Sequence, residues 1–464
     1  MSNPYIPNDV EEIRKRMLKS LSISDVDDLF SDIPRKVRLS SPLQIPGPFS
    51  EAEVKKETEK ILRKNRTLKE LKIFLGGNVW PHFVPAVVDE ISSRSEFLTS
   101  YTPYQPEISQ GILQALFEYQ SMICELLEMD VANCSMYDWA SALGEAARMA
   151  TRLTKRYTFL IPYYIDPARL EVLKTYTDPA DIKIVKVRQS LNDGQIDLED
   201  LKNKVSNDSA ALYVENPSSL GFLLYNVEAC AEIIHDAGGL FVVGVDPTSL
   251  GIIKPPGEYS ADIVVGEGQP LGNYMNCGGP LLGIIACKGD LSFIRQMPGR
   301  IIGMTQTIDR SRRAFCMALQ TREQHIRRER ATSNICTNEA LCALRAAVYM
   351  ALLGPEGFRE LSENILYKTQ YTIRRLSRID GIITPIFNAT HFKSFTIKIN
   401  KDNITVEKVN KHLLENGIVG GKPLKGFFPE LGEAALYTVT EIHSAEDIRA
   451  LELCLKKIME EGKE

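Results

Sequence analysis

Residues 239–280 read GLFVVGVDPTSLGIIKPPGEYSADIVVGEGQPLGNYMNCGGP, and they decide the fold of this 464-residue chain. The run Leu240–Val245 is apolar and rich in valine, which is typical of a strand buried on both faces of a parallel sheet. Asp246 follows at the carboxyl end of that strand, where open α/β sheets bind their ligands. A second short strand is predicted at Asp262–Val265. The stretch therefore predicts an α/β protein with a binding edge at Asp246.

The same stretch also shows what that edge lacks. In enzymes that use pyridoxal phosphate (PLP), a carboxylate can hold the pyridinium nitrogen while a lysine forms a Schiff base with the cofactor. We expect this lysine one short strand after the carboxylate, but no lysine lies between Gly257 and Cys287. Lys254 is only eight residues past Asp246, and Lys288 lies beyond the following strand. The carboxylate of a PLP site is thus present and its lysine is missing.

The sequence around this stretch alternates short apolar runs with amphipathic stretches from 157 to 290. That alternation predicts a doubly wound, mostly parallel sheet with helices on its faces. The helices and strands that follow predict a smaller α+β domain. We therefore predict an N-terminal arm at 1–70, a large α/β domain at 71–330, and a linking helix with a small α+β carboxyl domain at 331–464.

The predicted arm contains two charged helical pieces, at 9–21 and 50–65. Asp9 and Ser50 stand where the N-cap residues of these helices are expected, and the glutamates that follow suit a helix start. An arm of this kind either wraps a neighbouring subunit or the large domain, or is a loosely attached surface segment. The pattern leaves these interpretations open.

Composition and charge exclude several classes of protein. A net charge of −5 argues against nucleic-acid binding, because phosphate recognition needs a basic excess. No apolar run approaches the roughly 18 residues of a membrane span, so no membrane segment is predicted. Nine cysteines without a C-x-x-C pair and six scattered histidines give no metal-ligand spacing. We expect reduced and mostly packed thiols, a cytoplasmic location and no metal site.

Two loops that lead into predicted helices have the composition of ligand-contacting segments. The loop that contains Thr102 and Tyr104 is rich in hydroxyls and aromatic rings, although a plain surface loop would look the same. Residues 135–144 form a small-residue loop before a predicted helix at 145–156, which is a common place for a bound phosphate. Trp139 stands where close approach to a phosphate needs glycine. We therefore predict that this cup is either vestigial or filled rather than occupied by a phosphate.

The stretch 306–353 is rich in arginine and is predicted to be helical. Within it, residues 320–330 contain four arginines and two glutamates, a local cationic excess. This excess is either a solvated face with ion pairs or an anion site at a subunit boundary, because arginine binds carboxylate and phosphate well. Thr337 and Asn338 precede the helix that Gly354-Pro355 should end, and a hydroxyl and an amide at a helix start could serve a phosphate.

Four runs of the sequence carry a resemblance to a known family. They are SRSEFLTSYTPYQPEISQG (93–111), MICELLEMDVANCSMYD (122–138), RQMPGRIIG (295–303) and REQHIRRERATSNICTNEAL (322–341). In these runs and over nearly its whole length the chain resembles the α subunits of split glycine decarboxylases, the P-protein of the glycine cleavage system. The resemblance implies a fold-type I PLP-dependent transferase-like architecture and an α₂β₂ assembly. It also implies decarboxylation of glycine, with transfer of the aminomethyl group to the lipoyl arm of the H-protein.

The resemblance further implies how the active site is divided between subunits. In that family the PLP lysine belongs to the β subunit, so PLP is bound covalently by the partner. Measured back from the shared Gly-Gly-Pro, the lysine position in this chain is taken by Gln269. Asp246 keeps the place of the pyridinium partner as a vestige. Thr337 and Asn338 are then expected at the phosphate of the partner's PLP.

The remaining expected contacts concern substrate. Thr102, Tyr104 and His82 would line the entrance for glycine and the lipoyl arm. Arg327 or Arg328 would attract the carboxylate of glycine, since arginine pairs well with carboxylates. No catalytic residue of this chain itself is predicted.

Two other interpretations stay open at this point. A self-sufficient PLP enzyme would form its Schiff base on Lys254 or Lys288. The absence of a lysine at the expected position, where Gln269 stands, counts against this interpretation. A non-catalytic subunit would only dock the H-protein. A nicotinamide-binding protein is not indicated, because no G-x-G-x-x-G follows a predicted strand.

Overall fold

The computed structural model describes residues 5–6, 8–39, 41, 43–333 and 335–461. The chain divides into two compact units, Met1–Arg66 and Thr67–Glu464. Apart from 3₁₀ segments, its helices are α1 (Glu11–Ser20), α2 (Glu51–Leu62), α3 (Ala86–Ser92), α4 (Ser95–Leu98), α5 (Gln110–Leu127), α6 (Trp139–Thr154), α7 (Pro167–Thr177), α8 (Leu198–Lys204), α9 (Val227–Asp236), α10 (Leu291–Gln296), α11 (Gln324–Arg327), α12 (Ala340–Leu376), α13 (Val406–Glu415) and α14 (Ala445–Glu461). Its strands are β1 (Lys72–Ile73), β2 (Val131–Ala132), β3 (Thr158–Pro162), β4 (Lys183–Val187), β5 (Ser209–Glu215), β6 (Leu240–Val245), β7 (Ile263–Glu267), β8 (Gly283–Cys287), β9 (Ile301–Gln306), β10 (Arg313–Ala318), β11 (Ile382–Ile383), β12 (Ser394–Ile399), β13 (Ile418–Val419), β14 (Lys422–Pro423) and β15 (Ala434–Thr438).

The first unit contains α1 and α2, whose residues are all at least partly exposed. Ser50 caps α2 as predicted, because its hydroxyl accepts from the N–H of Glu53 and the Glu53 carboxylate accepts from the N–H of Ser50 at 2.8 Å. The prediction that Asp9 caps α1 was wrong. The N-cap is Val10, whose side chain has no oxygen that could accept an N–H. The predicted division into an arm and two domains stays a prediction.

Seven strands of the described chain form the main sheet, in the order β2-β8-β7-β6-β5-β3-β4. The strands from β7 to β4 in that order are parallel, and β8 is antiparallel to both of its neighbours. β3, β5, β7 and β8 are buried along their whole length. Continuous apolar runs predicted these strands, because helices cover both faces of such a sheet. The doubly wound α/β fold is confirmed.

Two hydrophobic cores lie on opposite faces of this sheet. Within β6, Phe241, Val243 and Val245 belong to one core, together with residues of α5, α9 and α12. Val242 points the other way and belongs to the core that contains α6. This alternation follows from the period of two along a strand. It leaves the carboxyl end of β6, and with it Asp246, at the edge between the two layers.

The segment 306–353, predicted to be helical, is helical mainly from Ala340 onward. β9 and β10 pair antiparallel, and regular helix begins only at Ala340, after short turns that include α11. Phe315 and Met317 are the buried residues of β10, two positions apart. That spacing is the period of a strand rather than of a helix. The helix prediction before 340 was therefore wrong.

The long helix α12 connects the sheet to the carboxyl-terminal part of the chain. It is interrupted at Gly354, which has a φ of 59° and precedes Pro355. Within the described chain it is the one helix long and apolar enough to cross a membrane, yet 44% of its most apolar stretch is buried inside the protein. A core helix passes the same test of length and composition. Beyond α12, the antiparallel sheet β11-β12-β15-β14 shares a core with α13 and α14, which confirms the smaller α+β part.

Candidate functional site

Asp246, at the carboxyl end of β6, forms a buried ion pair with a lysine far along the chain. The Nζ of Lys393 lies 2.6 Å from Oδ2 of Asp246, and the two side chains are 2% and 8% exposed. The other carboxylate oxygen accepts from the N–H and the hydroxyl of Thr248. Burial lowers the pKa of Lys393, and the carboxylate opposes that shift. A cation of this chain thus takes the position beside Asp246 that a pyridinium nitrogen would need.

Trp139, the first residue of α6, is buried and lines the same cavity as Asp246. The guanidinium carbon of Arg169 lies 3.6 Å from the centroid of its indole ring. Arg169 also forms an ion pair with Glu215, at the end of β5. The indole N–H donates to the Tyr213 hydroxyl at 3.1 Å. A cation on an aromatic face is worth about 2 kcal/mol when desolvated, so the stack is well held.

Carboxylates close the N-terminus of α6. Asp138 is its N-cap and accepts from the N–H of Ser141 at 2.7 Å. Glu267, at the end of β7, accepts from the N–H of Trp139 at 3.2 Å and from two further backbone N–H groups. Burial raises the pKa of Glu267 to about 7, although these three donors favour its charged form. Helix N-termini attract anions, and here two carboxylates stand where a phosphate would bind. The predicted filled cup is confirmed, and the helix begins at Trp139 rather than at 145.

Gln269 stands at the position expected for a cofactor lysine, and it is fully buried. Its Oε1 accepts from the N–H of Trp80 at 3.1 Å. Its Nε2 donates to the carbonyls of Trp80 and Asn273, at 3.2 and 2.8 Å. The Trp80 ring in turn lies 4.5 Å from the ammonium of Lys393. The amide is therefore a satisfied part of the core and faces no ligand.

These side chains leave almost no space at the edge of the sheet. The cavity lined by Asp246, Lys393, Trp139 and Arg169 has a volume of about 20 Å³. Holding a single water takes about 10–15 Å³, so PLP does not fit in this cavity. We call Asp246, Lys393, Trp139, Arg169 and Gln269 the filled pocket.

Gly244, near the carboxyl end of β6, makes the filled pocket possible. A Cβ at this position would lie 2.3 Å from the Tyr213 hydroxyl and 2.8 Å from Cζ2 of Trp139. Glycine in a strand interior costs stability and commonly marks a close approach. Here it lets the indole and the phenol lie directly on the central strand.

The two lysines of the alternative PLP interpretation lie in ion pairs, Lys254 with an exposed glutamate and Lys288 with a buried aspartate. Lys254 pairs with Glu228 at 2.9 Å, and Lys288 pairs with Asp262 at 2.5 Å. Neither is among the described residues that line the cavity of the filled pocket. The geometry gives no support to a Schiff base at either lysine.

A second group of residues meets around Arg300, which is 4% exposed. Its guanidinium donates to the Tyr104 hydroxyl at 3.0 Å, to Oδ1 of Asn338 at 3.2 Å and to the Cys336 carbonyl. A carboxylate oxygen of Glu323 lies 3.8 Å from its Nε. We call these five residues the Arg300 cluster. The structure thus brings Tyr104 and Asn338 together, although the loops that carry them are far apart in sequence.

The structure places the other expected contacts separately. Thr102 and Thr337 are half-buried, and Arg327 and Arg328 are exposed. The Nε of Arg327 donates to the Thr321 carbonyl at 3.0 Å. Arg328 has a left-handed backbone, with a φ of 55°. The roles expected for these residues stay predictions.

His82 lies inside the protein, with a side chain that is 1% exposed. Its Nδ1 is 2.8 Å from one carboxylate oxygen of Glu441, and the other oxygen accepts from the N–H of Phe83 at 2.7 Å. Burial opposes the charge on Glu441, but the His82 ring beside it lowers the pKa of Glu441 to about 2. The pair holds the segment that carries Trp80. A ring so enclosed is out of reach of a ligand that approaches this chain.

Sequence reasoning missed two of the residues that organise these sites, Lys393 and Arg300. Lys393 lies between Phe392 and Phe395 in FKSFTIKI (392–399), which also contains Lys398, and Arg300 precedes Ile301 and Ile302 in GRIIG (299–303). Charges are rarely buried without a partner, so a lone charge among apolar residues indicates a buried pair or hydrogen bond. That signal was available in the sequence, although the identity of the partner was not.

The fold and the polar edge of its sheet define the class of protein. A solved sphingosine-1-phosphate lyase of Burkholderia pseudomallei superposes with a TM-score of 0.67 at 11% identity, over 93% of this chain and 95% of that one. A solved NifS-like protein of Rickettsia africae gives 0.62 at 12% identity, over 84% and 99%. These likenesses show the fold, which is that of the fold-type I PLP-dependent enzymes.

Sequence comparison narrows the class to one family. The family model "Glycine cleavage system P-protein" matches residues 3–455, and the chain belongs to that family. The probable glycine dehydrogenase (decarboxylating) subunit 1 of Staphylothermus marinus is 51% identical, over 100% of this chain and 99% of the relative. The protein of the same name from Pyrococcus furiosus is 50% identical, over 99% and 100%. A crystal structure of glycine decarboxylase (P-protein) of the glycine cleavage system, in inhibitor-bound form, has a TM-score of 0.86 at 39% identity, over 97% of this chain and 98% of that one.

Proposed function

We propose that this chain is subunit 1, the α subunit, of a split glycine decarboxylase of the glycine cleavage system. Together with a β subunit that carries PLP covalently, it decarboxylates glycine and transfers the aminomethyl group to the lipoyl arm of the H-protein. Membership of the P-protein family and the names of relatives at 50 and 51% identity support this assignment. The term "subunit 1" in those names implies a second subunit, and we expect an α₂β₂ assembly.

The observation that carries the division of labour is the filled pocket. PLP, when bound, supplies an electron sink for the charge that remains when a carboxylate is lost. In this chain Lys393 is paired with Asp246, and the cavity beside them measures about 20 Å³. A chain with no room for the cofactor takes part in PLP chemistry only through a partner that binds it.

The residues of this chain act at that shared site by binding and orienting. Thr337 and Asn338 precede α12 and offer a hydroxyl and an amide to the phosphate of the partner's PLP. Thr102 and the 40% exposed Tyr104 line the approach of glycine and the lipoyl arm. Arg327 or Arg328 attracts the glycine carboxylate, since both lie at the surface. The enclosed His82 is left out of this proposal.

The test is to add PLP to the purified chain and to its complex with the β subunit, remove free cofactor, and record visible absorbance before and after borohydride. In the isolated chain we expect no visible absorption band of bound PLP, and no lysine to which borohydride has fixed the cofactor. The complex should show the band, with the label on the β subunit alone. It should also exchange labelled bicarbonate into the carboxyl of glycine when lipoylated H-protein is present.

Matched variants separate the alternatives. A cofactor fixed to the isolated chain that disappears in Lys254→Arg or Lys288→Arg would establish the self-sufficient enzyme instead. Thr337→Val removes one hydroxyl at nearly constant shape. If Thr337→Val, Tyr104→Phe and Thr102→Val all assemble with the β subunit and turn over glycine normally, the chain is a docking subunit for the H-protein.

A further inference from the structure

The Arg300 guanidinium joins two loops that are distant in sequence. Tyr104 lies in the loop before α5, and Cys336 and Asn338 lie in the loop before α12. Asn338 is held from its other side as well, because its Nδ2 donates to the hydroxyl of Ser135 at 2.9 Å. The two loops are thereby fixed relative to each other by one side chain.

The contacts that Arg300 makes are those of a side chain that orients its neighbours. Its side chain is 5% exposed, and burying a charge is costly unless hydrogen bonds compensate. It donates to three neutral acceptors, whereas the Glu323 oxygen is 3.8 Å away and outside hydrogen-bond range. Within the described chain, the Nε–H has no hydrogen-bond acceptor. A role in charge neutralisation alone would have placed the carboxylate closer.

The geometry requires the planar fork of arginine. One Nη donates to Asn338 and the other to both Tyr104 and the Cys336 carbonyl. The guanidinium carbon also lies 5.4 Å from the centroid of the Tyr104 ring. A lysine ammonium keeps the charge and has three N–H donors, but its single nitrogen cannot occupy the positions of both Nη atoms at once.

We propose that Arg300 is a positioning residue that holds the Tyr104 hydroxyl and the Asn338 amide in the geometry that the shared active site requires. This inference rests on the proposed function for its catalytic consequence, since Tyr104 and Asn338 are the groups expected at the partner's cofactor and substrate. Its structural part, the fixing of two loops by one guanidinium, stands on this chain alone. The two parts are tested separately.

The structural part is tested by amide hydrogen exchange of the chain in its complex with the β subunit. Arg300→Lys should raise exchange in the peptides that contain residues 100–105 and 335–339, and leave the strands of the main sheet unchanged. Arg449→Lys is the matched control, because Arg449 is an exposed arginine on α14. Unchanged exchange in both peptides would overturn the proposal.

The catalytic part is tested by a double-mutant cycle on glycine turnover. Arg300→Lys should lower kcat/KM about tenfold or more, the scale of a lost hydrogen bond to a charged group. Tyr104→Phe should also lower it, and the double variant should lose no more than the worse single variant, because Arg300 acts through Tyr104. Losses that multiply would show that Arg300 acts independently and would contradict the proposal.

Two further arms keep the outcomes distinct. If Arg300→Lys does not fold, Asn338→Ala and Tyr104→Phe replace it, and each should loosen the segment that contains the other residue. If the native complex exchanges no bicarbonate into glycine, the proposed function fails. The exchange rates of the two loops would then still decide whether Arg300 positions them.

Discussion

The filled pocket and the Arg300 cluster each contain a buried cation, and the two cations are held in different ways. Lys393 lies 2.6 Å from a carboxylate, and its neighbours leave a cavity of about 20 Å³. Arg300 donates hydrogen bonds to the Tyr104 hydroxyl, the Asn338 amide and the Cys336 carbonyl. Of these residues, Tyr104 is 40% exposed. The filled pocket is closed, and the charge of Lys393 is neutralised by a carboxylate of the same chain. The Arg300 cluster presents polar groups at a surface.

The difference fits the divided active site that we propose. A pocket that no longer takes a ligand is stable when its own side chains supply the missing charge and volume. A surface that completes another subunit's site has to keep polar groups oriented before the partner arrives. We therefore expect substitutions in the filled pocket to change stability, and substitutions in the Arg300 cluster to change activity. Four predictions, from the largest effect to the smallest, test this contrast.

Asp246→Asn should give the largest loss of stability. It leaves the ammonium of Lys393 buried without a counter-charge, and breaking a buried ion pair costs about 3–5 kcal/mol. The free energy of unfolding in urea measures this loss. Adding Lys393→Met should recover part of it, because the orphaned charge is then removed. Glu228→Gln, which breaks the exposed pair with Lys254, is the control and should change nothing measurable.

Glu441→Gln should remove a pH-dependent contribution to the free energy of unfolding. The Glu441 carboxylate makes this contribution by holding the segment that contains Trp80. The pKa of Glu441 is lowered from 4.5 to about 2 in the folded state. Its contribution is therefore fully present above about pH 4.5 and is lost as the pH falls from there towards 2. At about 1.4 kcal/mol per pKa unit, the contribution amounts to about 3 kcal/mol. Unfolding curves of the native chain and the variant should converge at low pH, and parallel curves would contradict the prediction.

Gln269→Lys should fail to restore cofactor binding. The new ammonium would be buried where three hydrogen bonds now satisfy the amide, so we expect a loss of about 1–3 kcal/mol. The isolated variant, treated with PLP and borohydride, should carry no label at position 269. Labelling at that position would mean that the pocket opens readily, and it would contradict the inference that its side chains exclude PLP.

Tyr104→Phe should have the smallest effect on stability and a clear effect on turnover. It removes one hydrogen bond at a partly exposed hydroxyl, which costs about 1 kcal/mol or less. We expect kcat/KM of the complex to fall about tenfold, which corresponds to about 1.4 kcal/mol of transition-state stabilisation. Equal turnover in the native complex and the Tyr104→Phe complex would contradict the expectation that substitutions in the Arg300 cluster change activity.

The main sheet could be predicted from the sequence, because its signal is local. The apolar run Leu240–Val245 is a strand with those bounds, since a strand covered on both faces needs apolar residues throughout. The helical prediction for 306–353 was wrong before Ala340, where β10 lies, because an arginine-rich composition does not distinguish a helix from a strand. Phe315 and Met317 are the two buried residues of β10, which is strand periodicity.

The candidate sites could be predicted only in part, because their decisive contacts are not local. Trp139 and Gln269 showed from their positions that the cofactor cup was altered. The partner of Asp246 could not be found, because Lys393 belongs to the carboxyl-terminal part of the chain and reaches Asp246 only once the sheets are assembled. Arg300 was visible only as a charge in an apolar run. Which loops it would join depends on the tertiary fold.

Gly244 makes the filled pocket hard to open by any one change. The indole of Trp139 rests against the bare backbone of this glycine, with room for no Cβ between them. With a lysine at position 269, the indole would still be in place and Lys393 would still lie beside Asp246. We therefore expect that no single substitution opens the pocket to a ligand, and that several side chains have to change together.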